Sequence, residues 1–313
     1  QPQWGTTFTH RMFAAPVVSR RLSRLSCRLS TCTDTWQSIV AEASAQVDKF
    51  DAVERVNRTE QPQWALRSKS FGIRNFVRAD VLAHDTLANA LASKIGGKLA
   101  ANSATHHVDY QSIIESAFEA EPEICDAIAA DIERFKVVDP ACDGLLGVYL
   151  FYKGVEALAC ARVAHHYWAE RGETGRLIAR LLQSEMADVF GVDIHPGCEL
   201  GRGITIDHAT GVTLGETCVI GDDVYIMHDV TLGATGKAKE HDRHPKIGRG
   251  VFLGAKATVL GNIRIGDGAT IAAAALVNKP VPDGYTAVGM PAKLIEPKGA
   301  VSTRSQLDLG RAK

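Results

Sequence analysis

A few ionisable side chains sit where a folding pattern alone does not ask for them. His208 follows Asp207 in the run Ile206-Asp207-His208-Ala209-Thr210-Gly211, and Asp193 and His195 frame Ile194 in Val192-Asp193-Ile194-His195-Pro196. A histidine with a carboxylate nearby has the makings of a general base: one ring nitrogen faces a hydroxyl while the acid holds the other. His208 is the candidate base and Asp193 the candidate orienting acid. Spacing also allows the plainer reading, in which Asp193 and Asp207 are turn residues and His208 a solvated surface histidine.

Elements that could bring these groups together are visible in an unusual period. From Ile194 an aliphatic or thiol side chain returns every sixth position through Leu200, Ile206, Val212, Cys218, Val224 and Val230, then again from Ile247 through Leu253, Val259, Ile265, Ile271 and Val277. Six fits neither a helix nor a plain alternating strand; it fits a chain that turns a corner every six residues and places the anchor inside a three-sided prism. The expected fold is a left-handed parallel β-helix whose coils of about eighteen residues stack at roughly 4.8 Å. Between Val230 and Ile247 the phase breaks, and a loop is expected there.

Residues 34–189 read as an all-helical domain of about six helices, so the fold class is α+β. Asp34 can cap a helix in which Trp36, Ile39, Ala43, Val47 and Phe50 recur at steps of three or four. A second apolar face runs from Val77 to Ile95 and is expected to end at Gly96-Gly97; further helices span about 109–120, 122–138, 143–171 and 175–189, with 51–70 as a loop. The β-helix occupies 190–295, and 296–313 reads as a flexible tail.

The formal charge is -1, and outside the first thirty residues acids and bases interleave, which argues against a nucleic-acid groove. No apolar run of eighteen is present, so no membrane span is expected. Seven cysteines with no CxxC pair argue for a reducing compartment and against a disulfide framework. Residues 1–33 contain no Asp or Glu but five Arg with many Ser and Thr, the composition of an organellar presequence, mitochondrial or plastid, with a disordered basic arm on a cytoplasmic protein as the alternative.

The residues themselves narrow the choice. The run VDIHPGCELGRGITIDHATGVTLGETCVIG, followed by HDVTLGATGK, DRHPKIGRG, LGNIRIGDGA and VGMPAKLI, resembles the serine O-acetyltransferase family, and VLAHDTLANAL, VDPACDG and ARVAHHYW are similar to its helical domain. The resemblance covers about 34–295. It implies acetyl transfer from acetyl-CoA, a co-substrate rather than a resident cofactor, to the hydroxyl of L-serine, the first step of cysteine biosynthesis, with no metal. It assigns His208 as base and Asp193 as its partner; Asp139 and Asp207 to the serine ammonium; and Arg243 and His244 to its carboxylate. Acetyl-CoA is expected along the later coils near Gly233, Ala234, Thr235, Ala255, Ala273 and Lys293, Ala234 standing where the family usually has Gly. His195 reads as structural.

The same resemblance implies a homohexamer built as a dimer of trimers, with L-cysteine as feedback inhibitor. A complex with O-acetylserine sulfhydrylase, which the family forms through a terminal Ile, is not expected from a tail ending in Lys313. Two other classes compete. A γ-type carbonic anhydrase would bring His208, His228 and His244 together between subunits onto one zinc, and a non-catalytic scaffold would have no use for the acid, base and arginine. Homoserine is the alternative acceptor.

Overall fold

A computed structural model describes residues 31–57, 72–101, 107–169, 172–236 and 241–297. Residues 1–30, on which the presequence reading mainly rests, most of the 51–70 loop and the tail from 298 lie outside the described residues.

Eight α-helices are present among them: α1 (Cys32–Asn57), α2 (Ile73–Val77), α3 (Leu87–Ala101), α4 (Tyr110–Ala120), α5 (Glu123–Val138), α6 (Leu145–Phe151), α7 (Lys153–Ala169) and α8 (Glu173–Phe190), a π turn over Arg78–Leu82 following α2. The periodic face of α1 is buried as its spacing requires, at Trp36, Ile39, Ala43 and Val47. α7 is covered nearly all round, from Val155 through Ala164, which makes it the centre of the domain.

Beside the division of the Val77–Ile95 face between α2 with its π turn, ending at Leu82, and α3, starting at Leu87, three expectations fail for physical reasons. Gly96 and Gly97 do not stop α3; Gly96 is buried against α4, where a Cβ would lie 2.7 Å from the Gln111 nitrogen, so close packing and not termination requires it. The long helix expected over 143–171 breaks at Tyr152, whose extended backbone (φ -89°, ψ 95°) separates α6 from α7. Residues 51–57 continue α1 and are not a loop. A fourth correction concerns thiols: Cys32, at the start of α1, is disulfide-bonded to Cys125 in α5, their Cα atoms 5.9 Å apart, while Cys142, Cys160, Cys198 and Cys218 are free. Cys198 and Cys218 are buried in the prism, as their inward positions predict.

Beyond Gly191, left-handed at φ 68°, the chain winds into three parallel sheets that form the sides of a prism. One side stacks β1 (Val192–Ile194), β4 (Val212–Leu214), β7 (Thr231–Gly233), β10 (Thr258–Leu260) and β13 (Leu276–Val277). A second stacks β2 (Glu199–Leu200), β5 (Val219–Ile220), β8 (Lys246–Ile247) and β11 (Arg264–Ile265). The third stacks β3 (Thr205–Ile206), β6 (Tyr225–Ile226), β9 (Phe252–Leu253), β12 (Thr270–Ile271), β14 (Thr286–Val288) and β15 (Lys293–Ile295), the last pairing antiparallel. Of the hexad anchors only Leu200 is not fully buried.

Register reveals an irregularity that counting by six conceals. Thr213 pairs with Thr231 and Thr258 with Leu276, eighteen residues on, but Val192 pairs with Val212, Glu199 with Val219 and Thr205 with Tyr225, twenty on. The one stretch common to all three longer steps lies between Thr205 and Val212. Two extra residues are therefore accommodated at the corner Asp207–Gly211, where His208, Ala209 and Gly211 all take left-handed backbone (φ 58°, 60° and 79°). A second irregularity, Thr231 pairing with Thr258, leaves nine residues for the loop that carries Arg243.

The two domains meet at that first corner. Gly154, at the start of α7, lies against the Ile206 carbonyl, where an added Cβ would fall 2.0 Å from the oxygen. Gly154→Ala must push α7 off the corner; an overpacking cost of about 1–3 kcal/mol should appear in thermal melts, accompanied by lost activity because Asp207 follows immediately. Unchanged melting and turnover would show that the corner tolerates displacement.

Candidate active site

The corner Asp207–Gly211 is stacked above the end of α8, Gly211 N–H donating to the Gly191 carbonyl at 2.7 Å, and below the next coil, Asp229 N–H donating to Thr210 O at 2.8 Å. His208 projects outward with 70% of its side chain exposed. Its Nε2 lies 3.6 Å from Asp207 Oδ2, and its ring meets that of His228, one coil above, edge to face at 5.7 Å. His228 Nδ1 is buried with no hydrogen-bond partner among the described residues. The sequence offered His228 only as a metal ligand; its place beside His208 could have been read from the twenty-residue coil.

Asp139 joins this corner from the helical domain. It ends α5, with Oδ1 accepting from Ala141 N–H at 2.8 Å and Oδ2 from the Tyr152 hydroxyl at 3.2 Å. Tyr152 stands at the α6–α7 break, beside Lys153, whose Nζ donates to Thr210 Oγ1 at 2.5 Å. From the other side the Tyr225 hydroxyl donates to Asp207 Oδ2 at 2.9 Å, within electrostatic reach of Asp139 and Tyr152. Burial first, then Asp139, pushes the Tyr152 phenol up to about 12, so it stays a proton donor at neutral pH.

Asp193 is not drawn into contact with His208. The long first coil sets it opposite Thr213, on the outward side of β1, and its Oδ1 accepts from the Gln183 amide of α8 at 2.7 Å. The carboxylate touching the imidazole in this arrangement is that of Asp207.

Arg243 and His244 occupy the other edge of the same sheet, about 13 Å away over the four residues from Gly211 to Gly215 at 3.3 Å per residue. His244 packs on Gly215, where a Cβ would lie 2.1 Å from its ring, and its Nδ1 meets Thr217 N and Oγ1 at 3.1 and 2.9 Å. Arg243 Nη2 donates to Glu216 Oε2 at 2.8 Å, and that bond holds the Glu216 carboxyl below its ordinary range. Burial lowers the His244 pKa, with Arg243 adding to the effect. His195 belongs to this group: its Nδ1 accepts from Gly197 N–H at 3.0 Å, its ring meets Trp168 edge to face, and burial lowers its pKa. Those contacts are those of a structural residue.

Residues expected near acetyl-CoA fall in two columns. Lys256 N–H bonds the His228 carbonyl and Ala274 N–H the Ala255 carbonyl, so Ala255 and Ala273 continue upward from the His208 corner. Gly233, Ala234 and Thr235 follow β7 above the His244 corner, Gly261 N–H bonding Gly233 O at 2.9 Å. Lys293 is exposed on β15. His208 and His228 share one corner while His244 lies at the opposite edge, so one chain does not bring the three histidines together. Among the described residues no helix is long and apolar enough to cross a membrane.

A parallel prism of hexapeptide repeats, joined to a helical domain and carrying an outward imidazole beside the Asp207 carboxylate, defines a hexapeptide-repeat acyltransferase. The family model for the amino-terminal part of serine acetyltransferase matches residues 65–160, and that for bacterial transferase hexapeptide (six repeats) matches 244–279. Serine acetyltransferase of Salmonella typhimurium is 39% identical over 273 residues, 87% of this chain and 91% of its own length. Probable serine acetyltransferase 4 of Oryza sativa subsp. japonica is 42% identical over 300 residues, 94% and 93% of the two. Among solved structures, soybean serine acetyltransferase complexed with serine aligns at a TM-score of 0.70 with 40% identity, covering 83% of this chain and 97% of that one. A serine acetyltransferase complexed with CoA gives 0.71, 36%, 84% and 100%, and one complexed with cysteine 0.71, 36%, 86% and 95%. The chain belongs to the serine acetyltransferase family.

Proposed function

We propose that this chain transfers the acetyl group of acetyl-CoA to the hydroxyl of L-serine, giving O-acetyl-L-serine and CoA. The single observation that carries this reading is the corner Asp207–His208, built out of the coil by two extra residues and met by Asp139 across the domain boundary. His208 takes the hydroxyl proton as the serine oxygen attacks the thioester carbonyl; the tetrahedral intermediate collapses, and the proton passes to the departing CoA thiolate. Transfer is direct, since the prism cysteines are buried and a hydrogen bond with Cys218, followed by burial, drives the Cys198 thiol well above its usual pKa.

The serine ammonium lies between Asp139 and Asp207, and its carboxylate meets Arg243 and His244. With Asp207 engaged by the ammonium, orienting the imidazole falls to Asp193, which must exchange its Gln183 bond for one to His208 when serine is bound. Asp193→Asn should therefore lower kcat with little change in the serine KM, and Asp207→Asn should mainly raise KM. The same shift in both variants would deny them separate duties.

Because the two halves of the serine site lie at opposite edges of one sheet, neighbouring prisms packed around a three-fold axis would complete it. Exposed apolar side chains on the helical domain, Ile73, Phe76 and Phe151, support pairing of two such trimers into a hexamer. L-cysteine, with the same ammonium and carboxylate as serine, fits the same groups as an inhibitor. An organellar address is proposed from the acid-free, arginine-rich residues 1–33, and a fluorescent fusion of residues 12–35 that stays diffuse would remove it. The activity is tested by thiol release from acetyl-CoA across a panel of hydroxy amino acids. Serine should be preferred over homoserine; release independent of any hydroxy acid would end the proposal.

A further inference from the structure

Two carboxylates at the serine site are held by parallel constructions from different domains. In the β-helix, the Tyr225 ring stacks on Phe252 at 5.3 Å and 25°, and its hydroxyl donates to Asp207 at 2.9 Å. In the helical domain, the Tyr152 ring meets Phe135 edge to face at 5.0 Å, and its hydroxyl donates to Asp139 at 3.2 Å. Each phenylalanine fixes a tyrosine ring, and each tyrosine fixes an acid. Nothing in the β-helix repeat calls for a phenol at the first position of a two-residue strand such as β6; the equivalent residues in the coils below and above are Thr205 and Phe252.

We propose that Tyr225 and Tyr152 are positioning residues for amino-group recognition, aiming Asp207 and Asp139 at one shared point between the domains. The inference rests on the assignment of those two acids to the serine ammonium. A carboxylate offers about four acceptor directions, so the Tyr225 phenol on Asp207, and the Tyr152 phenol with the Ala141 N–H on Asp139, fix each plane and leave room for an ammonium. Free rotation of either carboxylate would spread its oxygens over orientations that miss the ligand, and the loss would fall on binding rather than on proton transfer at His208. The Gly154–Ile206 contact holds the two tyrosine systems in register, because it fixes α7 against the corner immediately before Asp207.

The test is steady-state kinetics of Tyr225→Phe and Tyr152→Phe, each keeping its ring and losing only the hydroxyl. Each variant should raise the serine KM by about ten-fold, the order of one hydrogen bond to a charged group, with kcat and the acetyl-CoA KM within about two-fold of the unaltered protein. The preference for serine over 3-hydroxypropionate, which lacks the amino group, should narrow by a similar factor, a change that general loosening of the fold would not produce. An unchanged KM in both variants, or a fall in kcat matched by equal losses for both acceptors, overturns the proposal. Asp207→Asn and Asp139→Asn separate the two levels. If they raise KM while the phenylalanine variants do not, the acids bind the ammonium without help from the tyrosines. If neither acid variant raises KM, the ammonium assignment itself is wrong. Should Tyr225→Phe fail to fold, Tyr152→Phe carries the same expectation from the other domain.

Discussion

Replacing His208 by asparagine is expected to lower serine-dependent acetyl transfer by about 10² to 10⁴, the range for loss of a positioned general base, with the melting temperature unchanged. Asparagine suits this position better than alanine as a probe, since residue 208 has left-handed backbone at φ 58°, which Asn tolerates more readily than most side chains. The imidazole is 70% exposed, its ring set against His228 and the Asp207 carboxylate, so its removal opens no cavity. The loss should therefore be catalytic and not structural. It should fall on kcat and on kcat/KM alike, because the proton moves only in the transition state. Full turnover in His208→Asn would remove the mechanism while leaving the family intact.

A second large effect is expected where the domains are riveted together. Asp131, on α5, is completely buried and accepts from Arg162 Nε at 3.0 Å, from Arg162 Nη2 at 2.8 Å and from the Ile204 N–H at 2.8 Å. Arg162, on α7, also donates to the carbonyls of Leu200 and Gly201 at 3.4 and 2.6 Å. One ion pair thus links two helices to two sides of the prism. Burial drives the Asp131 pKa up, and Arg162 is the largest effect opposing it. Asp131→Ala strands a guanidinium with its charge uncompensated, which costs about 3–5 kcal/mol, or a fall in melting temperature of roughly 10 °C for a chain of this size. Activity should fall too, since the Ile204 N–H leads directly into β3 and the Asp207 corner. Replacing both partners by apolar residues should recover much of the stability; if the double variant melts no higher than Asp131→Ala, the loss comes from packing and not from the unpaired charge.

Much of this was legible in the residues. The six-residue period required a prism, the helical patterns placed α4 and α5 within a residue or two while missing the last seven residues of α1, and DHATG with DRHP fall at two corners of the prism. What the period hid is a shift of phase. Positions two apart, such as Ile204 and Ile206 or Val224 and Ile226, are both buried, so counting by six passes through the two-residue excess at Asp207–Gly211 and still lands on an aliphatic side chain. That excess decides which groups meet: it sets Asp193 opposite Thr213 and brings His228 over His208.

Other misses have a common cause, namely that partners far apart in sequence decide the role of a residue. Gly96-Gly97 has the composition of a helix stop, and only the presence of Gln111 makes it a packing site. Cys32 and Cys125 are 93 residues apart with no spacing motif between them. Tyr225 and Tyr152 carry no signal of their own; each acquires one from an aspartate on another element. Asp131 and Arg162 look like ordinary helix charges until the prism covers them.

A single serine site formed by the His208 corner of one chain and the Arg243 corner of its neighbour is what the proposed mechanism requires. It is tested most directly by co-expressing His208→Asn with Arg243→Ala and assaying the mixed oligomers. Neither variant alone should turn over appreciably, and random mixing should restore about a quarter of the sites, those that draw an intact half from each chain. Mixed oligomers as inactive as either parent would mean that both halves come from one chain, contradicting the account.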